Sequence, residues 1–278
     1  MKILAIGDFH GKFPPKLKKE AEKADIILSV GDYADADKIR KIIFKYWTNK
    51  PWYEVVGRKK AMQMEREGFN SGIKILKELN SFDKPVYTIW GNSDFYREDS
   101  QSKPPMKMPG FYDDKIKKMK NVILLKDKSR KTKEFIVLGH GGYVDATLYL
   151  KDALRKKDYN RYRRLLKRYN KDASKLRKIF QRSSNFKNMV FMMHIPPLGI
   201  FDKVTLIKSS PMYGKRIGFE PYIKMIRKYQ PKLALCGHMH EHQGKIKIGK
   251  TLLISVGEAA HGRAAVIDWP SLKVRFIR

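Results

Sequence analysis

Cysteine is nearly missing: the 278 residues include one, Cys236. A single thiol excludes an intrachain disulfide, and with it the stapled scaffolds of small secreted domains. Long apolar runs are missing too, and no stretch approaches the roughly 20 residues that span a bilayer. At the N-terminus, "MKILAIGDFHGK" has one lysine before an apolar run too short for a signal-peptide core. These absences predict no membrane association and a cytoplasmic location. Acidic residues are the third shortage, with 28 Asp plus Glu against 60 Lys plus Arg and a formal net charge of +32. A thermophile's ion-pair networks would raise Glu together with Lys, and Glu is scarce here. The excess is either a compositional or solubility trait, or the mark of a polyanionic partner such as nucleic acid.

What is present is a recurrent plan. "KILAIGD" (2–8), "IILSVGD" (26–32), "VYTIWGN" (86–92), "MVFMMH" (189–194) and "LALCGH" (233–238) are short apolar runs ending in a small residue and then a polar one. Runs with little alternation read as strands buried on both faces, and ligands collect at the C-terminal edge of such sheets. Helices are expected at 14–24, 69–79 and 219–229, the first opened by proline and the last limited by Pro231. The tail, "KIKIG", "TLLISVG" and "AAVIDW", reads as an antiparallel meander. The fold class is therefore α/β, a layered sandwich, in one domain over residues 1–278.

One segment stands apart. Lys151 to Arg182 holds fourteen Lys or Arg against three Asp, a net of +11. Tyr162, Leu165, Leu166, Tyr169, Leu176, Ile179 and Phe180 recur at three- and four-residue steps, predicting a basic amphipathic helix or helical pair in an insertion over about 145–186. Its cations could track a phosphodiester backbone, or simply form a solvated face. A second basic run lies at Lys115 to Lys133.

Chemistry gathers at the strand ends, in Asp8, His10, Asp32, Asn92, His194, His238 and His240. All offer oxygen or imidazole donors and none is a thiolate. In an extended segment positions i and i+2 share a side, so each D-x-H and H-x-H pair is expected to point into one pocket while Phe9 and Met239 turn away. The flanking glycines suit tight turns and close backbone approach.

The ordered set "GDFH", "GDYAD", "GNSD", "MMH" and "GHMH" resembles the calcineurin-like metallophosphoesterases, from Ile3 to about Trp269. The resemblance implies an α/β/β/α sandwich carrying two divalent ions, drawn from Mn, Fe, Ni, Zn or Mg. Asp8, His10, Asp32 and His240 would hold one, and Asp32 would bridge to a second held with Asn92, His194 and His238. It further implies hydrolysis of a phosphate ester by a metal-bridging hydroxide, with Asp32, Asn92 and His194 at the chemistry and Asn92, Ser93 and Asp94 toward substrate. Many members carry histidine after the GN; here Ser93 follows, and serine is no general acid near neutral pH. That departure and the basic surface favour a phosphodiester, in a nucleotide or nucleic acid. A phosphomonoesterase or protein phosphatase is the alternative, and a non-catalytic binding platform would be expected to have lost several of these donors.

Other candidates have plainer readings. His140 is expected to be structural, His242 a loop residue outside the set, and Cys236 a core residue. The "HIPPLGIFDKV" loop either shapes the pocket mouth or is merely stiff, and the aromatics of Trp47 to Gly57 are expected to pack rather than stack on bases. Glu258 and His261 could line the site, but the resemblance assigns them no role.

Overall fold

Alternation along the first strand decides the layering. In β1 (Lys2–Ile6), Ile3 and Ala5 face one apolar core while Leu4 and Ile6 face another. The same division holds in β2 (Ile26–Ser29), where Leu28 faces the first core and Ile27 the second. Strands buried on both faces need a covering layer on each side, here a second sheet on one and helices on the other. The computed structural model, which describes residues 1–46, 51–94, 112–142, 144, 146–206, 208 and 212–278, has this arrangement.

The first sheet continues through β3 (Val86–Thr88) and β4 (Val122–Leu124); the second is built on β5 (Lys128–Lys131), β6 (Ile136–His140), β7 (Met189–Met193) and β8 (Leu233–Cys236). Four later strands, β9 (Gly244–Ile248), β10 (Thr251–Ser255), β11 (Ala264–Asp268) and β12 (Lys273–Ile277), complete two six-stranded sheets of order β12-β11-β1-β2-β3-β4 and β5-β6-β7-β8-β10-β9. The first sheet is parallel from β1 to β4 and antiparallel on the β11-β12 side, whereas the second is parallel at its centre and antiparallel at both edges.

The tail is not one meander. β9 and β10 form an antiparallel hairpin in the second sheet, with β10 also parallel to β8, whereas β11 and β12 form a hairpin in the first. Between them the chain crosses from one sheet to the other through residues 256–263, beside the strand ends that carry the ligand-type residues.

Helices cover both outer faces. On the first sheet lie α1 (Pro15–Lys23) and, after α2 (Asp37–Lys45) and α3 (Trp52–Val56), the long α4 (Arg58–Ser81). The expected helix at 69–79 thus begins eleven residues earlier, after Gly57 at φ 81. A Cβ at Gly68 would come 2.7 Å from the Asp35 carbonyl, so glycine lets α4 pass against the loop that follows Asp32. A short α5 (Tyr112–Ile116) precedes β4.

On the second sheet lie α7 (Tyr159–Gln181), preceded by α6 (Thr147–Arg155), and α8 (Glu220–Tyr229). The basic insertion is therefore a helical pair. Leu176, Ile179 and Phe180 of α7 pack on the sheet, whereas Leu165 packs on Leu150 and Ala153 of α6. Tyr169 stacks edge-on against Phe219 at the start of α8, level with the strand ends, so the first half of α7 projects past the sheet's C-terminal edge. Among the described residues no helix is long and apolar enough to cross a membrane.

Trp47 lies outside the described residues, while Trp52 and Tyr53 pack with Ile39, Ala61 and Met64. The Pro196–Pro197 loop is pinned by buried Asp202, whose carboxylate accepts from Arg216 Nη1 at 2.6 Å and from the Gly199 amide at 2.9 Å.

Candidate metal centre

The C-terminal ends of β1, β2 and β3 in one sheet meet those of β7 and β8 in the other; between the sheets the His194 ring reaches the Val30 carbonyl and the His238 amide donates to the Asp8 carboxylate, and within each sheet backbone hydrogen bonds join neighbouring strand ends. The amides of Asp8 and Phe9 donate to the carbonyls of Gly31 and Asp32, and that of Gly237 donates to the His194 carbonyl. Asp8 is buried at 1%, Asp32 at 2%, His10 at 3% and His194 at 0% relative exposure, so four chemistry-bearing side chains are withdrawn from water. Such groups are costly to bury unless they meet partners.

They meet one another. His10 Nε2 and His240 Nε2 are 3.0 Å apart, and His240 Nε2 is 3.6 Å from Asp8 Oδ1. Asp32 Oδ2 lies 3.9 Å from His10 Nε2 and 3.5 Å from His194 Nε2, between the two imidazoles. Asn92 Oδ1 is 2.9 Å from His194 Nε2, and the His238 ring stands edge-on to that of His194 with centroids 5.2 Å apart. The seven strand-end residues come together as the sequence motifs suggest.

The donor set fits divalent ions. Asp8, His10 and His240 place one ligand atom each within 4.8 Å of the others, and so do Asp8, Asp32 and His194. Two imidazole nitrogens 3.0 Å apart can both reach one ion at about 2.1 Å, the usual distance. Asp8 belongs to both triads, so the geometry offers it, beside Asp32, as a carboxylate shared between two positions.

The local backbone is not extended. Asp8 (φ 57), His10 (φ 43), Asp32 (φ 60) and His238 (φ 71) are left-handed, a conformation that costs a non-glycine residue roughly 1–2 kcal/mol. The pairs share a pocket because the chain curls back beyond Ile6 and Cys236, where the strands end, and not through strand alternation. Phe9 and Met239 are nevertheless buried away from solvent, Phe9 stacking on Tyr33.

Electrostatics follow from this crowding. Burial alone would raise Asp8, yet the hydrogen bond from His240 and the charges of His194, His240 and His10 outweigh it and hold the carboxyl low. Asp32 is also low, burial being overcome by His194 and His10. Burial pushes His10 down and, with His194 beside it, His238 to about 3. His194 and His240 move up, because Asp32 and Asp8 outweigh burial at the first and Asp8 at the second. The cluster keeps its carboxylates ionised and part of its imidazole set neutral, as metal ligands require.

The Asp94 carboxylate is directed at backbone amides, away from solvent. It is buried, with Oδ2 accepting from the amides of Asp32 (2.6 Å) and Gly91 (2.9 Å) and Oδ1 from that of Tyr33 (2.7 Å). Burial and the nearby Asp32 charge push its carboxyl up to about 7 against these donors. Asp94 thus ties the Asp32 turn to the Asn92 turn, a role the motif alone does not reveal. Ser93 donates its backbone N–H to Asp32 Oδ1 at 2.9 Å and orients that carboxylate.

His140 is structural, its Nδ1 2.8 Å from the Tyr222 hydroxyl, and His242 lies outside the cluster against the Lys203 carbonyl at 2.7 Å. Cys236 is buried and its thiol pushed well up by desolvation, so it is no nucleophile. Two residues near the cluster have no place in the motifs. Arg40 on α2 is close enough for its charge to depress both His10 and His240, and Glu258 approaches His240 directly. Nearness in the fold alone marks Arg40, whereas Glu258 is already a candidate for the site wall in the sequence.

A family model described as calcineurin-like phosphoesterase matches residues 1–242. An uncharacterized protein of Methanocaldococcus jannaschii is 23% identical over 261 residues, covering 92% of this chain and 87% of that protein. One crystal structure superposes with a TM-score of 0.65 at 20% identity, over 99% of this chain and 97% of the other. The Thermus thermophilus protein TT1561 gives 0.53 at 13% identity, again over 99% and 97%. Both share the fold. With its motifs in order at the matched strand ends, the chain belongs to the calcineurin-like phosphoesterase family and is a metal-dependent hydrolase of phosphate esters.

Proposed function

We propose that the protein is a two-metal phosphodiesterase. The observation that carries the reading is the convergence of two carboxylates, four imidazoles and one carboxamide where the C-terminal edges of the two sheets meet, with Asp32 Oδ2 lying between His10 and His194. Asp8, His10, Asp32 and His240 would hold one divalent ion; Asp32, Asn92, His194 and His238 would hold the second. Mn, Fe, Ni, Zn and Mg are the candidates that such oxygen and imidazole donors suit. When bound, such a pair supplies an acidified water and Lewis-acid stabilisation of phosphoryl oxygens.

The chain's own residues do the positioning. Asn92 turns Oδ1 to His194, which leaves its amide hydrogens available to a phosphoryl oxygen. Asp32 is fixed by the Ser93 amide, and Asp94 clamps the turns that carry Asp32 and Asn92. The Ser93 hydroxyl is buried and has no hydrogen-bond partner among the described residues. It cannot protonate a leaving oxygen near neutral pH. That favours diesters with good leaving groups over monoesters whose alkoxide must be protonated. The cationic face of α6 and α7, projecting past the same edge, supports a nucleotide or nucleic-acid substrate.

Hydrolysis of bis(p-nitrophenyl) phosphate and p-nitrophenyl phosphate with added Mn2+ tests the reading. The diester is expected to show the larger kcat/KM, and Asp32→Asn to lose at least about a hundredfold in kcat, the scale of removing a group that stabilises the transition state. Faster turnover of the monoester would make the protein a phosphomonoesterase, and retained activity in Asp32→Asn would overturn the bridging role. No turnover with any of the five metals would leave a binding platform.

A further inference from the structure

Three imidazoles of the centre differ in what holds the ring nitrogen on the far side. His194 Nδ1 lies 2.8 Å from the Val30 carbonyl, whereas His10 Nδ1 is buried with no hydrogen-bond partner among the described residues. His240 Nδ1 lies 3.1 Å from Glu258 Oε1, and this carboxylate side chain is only 10% exposed. The other oxygen of Glu258 is taken by His261 Nδ1 at 2.6 Å, on a ring 69% exposed. A carboxylate buried between two imidazoles is set, not free to wander.

The segment carrying Glu258 is itself fastened to the centre. Ala259 and Ala260 donate their amides to the carbonyls of Gly7 and Asp8 at 2.9 and 3.1 Å. Arg263 donates its backbone amide to the Glu258 carbonyl and Nη1 to the His240 carbonyl, both at 3.1 Å. The crossover from second to first sheet therefore grips His240 twice, by its ring and by its backbone, and grips Asp8 by its backbone.

We propose that Glu258 is the positioning residue of the metal centre: it accepts the Nδ1 proton of His240 and so presents Nε2 toward His10 and Asp8 as a ligand. His261 holds the second oxygen of Glu258 and limits its rotation. A histidine whose far nitrogen faces a carboxylate is fixed in tautomer and orientation and made more basic toward a metal, and losing such a partner typically weakens metal affinity about 10–100-fold. This assignment rests on the metal-centre reading above, and two independent measurements separate their fates.

The first reads the metal-free protein. Long-range 15N–1H spectra should show His240 as the Nδ1–H tautomer in the wild type and as a tautomeric mixture in Glu258→Ala. The second is calorimetric titration with Mn2+, where Glu258→Ala should bind about 10–100-fold more weakly and Glu258→Gln, which keeps a carbonyl acceptor, should recover part of the loss. His261→Ala should cost less than Glu258→Ala. An unchanged tautomer and Mn2+ affinity in Glu258→Ala would overturn the proposal, as would equal losses in the Ala variants of Glu258 and His261, which would assign the effect to packing of the crossover. Should Glu258→Ala not fold, Glu258→Met, of similar length and without an oxygen acceptor, carries the tautomer test. A wild type that takes up no Mn2+ would sink the metal-centre reading, while the tautomer measurement still decides Glu258.

Discussion

At the scale of single residues, the centre works by close approach. Gly237, directly before His238, packs so tightly that a Cβ there would overlap Asp8 Oδ2 and lie 2.9 Å from Val30 Cγ2. Neither neighbour can yield cheaply, because Asp8 also accepts from the His238 amide at 3.0 Å and Val30 is fully buried. Gly237→Ala should therefore turn the Asp8 carboxylate aside and weaken Mn2+ binding by about tenfold or more, in line with losing ligand orientation, while the circular dichroism spectrum stays that of the wild type. Calorimetry with wild-type affinity would refute it. The ligand types were legible in the sequence because few other residues bind hard divalent ions. The conformation was not legible: nothing in "GDFHG" announces that Asp8 and His10 are left-handed, since the stitching to Gly31 and Asp32 comes from another strand. The clamp made by Asp94 was not legible for the same reason, its amide partners Asp32 and Tyr33 lying about sixty positions away.

At the scale of elements, α7 is tied to the second sheet by a polar knot as well as by apolar packing. Buried His140 at the end of β6 faces Tyr222 of α8, Asp127 at 3.7 Å, and Asp172 and Lys175 of α7; Lys175 in turn reaches Asp127 at 3.2 Å. Burial depresses the His140 pKa despite the pull of Asp127 and Asp172. The native imidazole therefore stays neutral where the unfolded one, near pH 6.5, becomes charged. Below that pH the unfolded chain binds the extra proton, so this group's contribution to stability is present above about pH 6.5 and is lost as pH falls. His140→Gln removes the titration. The urea-measured stability advantage of wild type over this variant should shrink as pH falls from 7 to 5 with EDTA present, other groups cancelling in the comparison. A constant advantage would mean that His140 protonates equally in both states. The helical pair itself was visible as a three- and four-residue period, and α1 and α8 through the prolines that open the one and follow the other. The start of α4 was not, because its buried stripe Ala61, Met64, Glu65 and Gly68 includes a charge and a glycine, the latter explained only by the neighbouring Asp35 loop. The two tail hairpins also looked like one meander, since strand order is settled by partners and not by sequence spacing.

At the scale of the whole molecule, a net charge of +32 raises the question of where the cations are free to act. On α6, Asp152 neutralises part of the pair, meeting Arg155, Lys156 and, across the turn, Arg161, while Lys175 is spent on Asp127. Arg164, Lys167, Lys171, Lys178 and Arg182 are exposed, and among the described residues none has an ion-pair partner. Their spacing puts them on one face of a helix about 34 Å long at 1.5 Å per residue. The stripe runs from the half of α7 that packs on α6 to the half that packs on the second sheet, so it offers a polyanion one continuous cationic track. Each phosphate contact on a single strand should contribute roughly −0.7 to the slope of log K against log salt. Changing Arg164, Lys167, Lys171 and Lys178 together to Gln should therefore flatten that slope by up to about 3 for a single-stranded oligonucleotide followed by fluorescence anisotropy, whereas Lys175→Gln, already paired, should change it little. An unaltered slope in the fourfold variant, or no binding by the wild type at low salt, would assign the charge to solubility and return the substrate to small phosphodiesters.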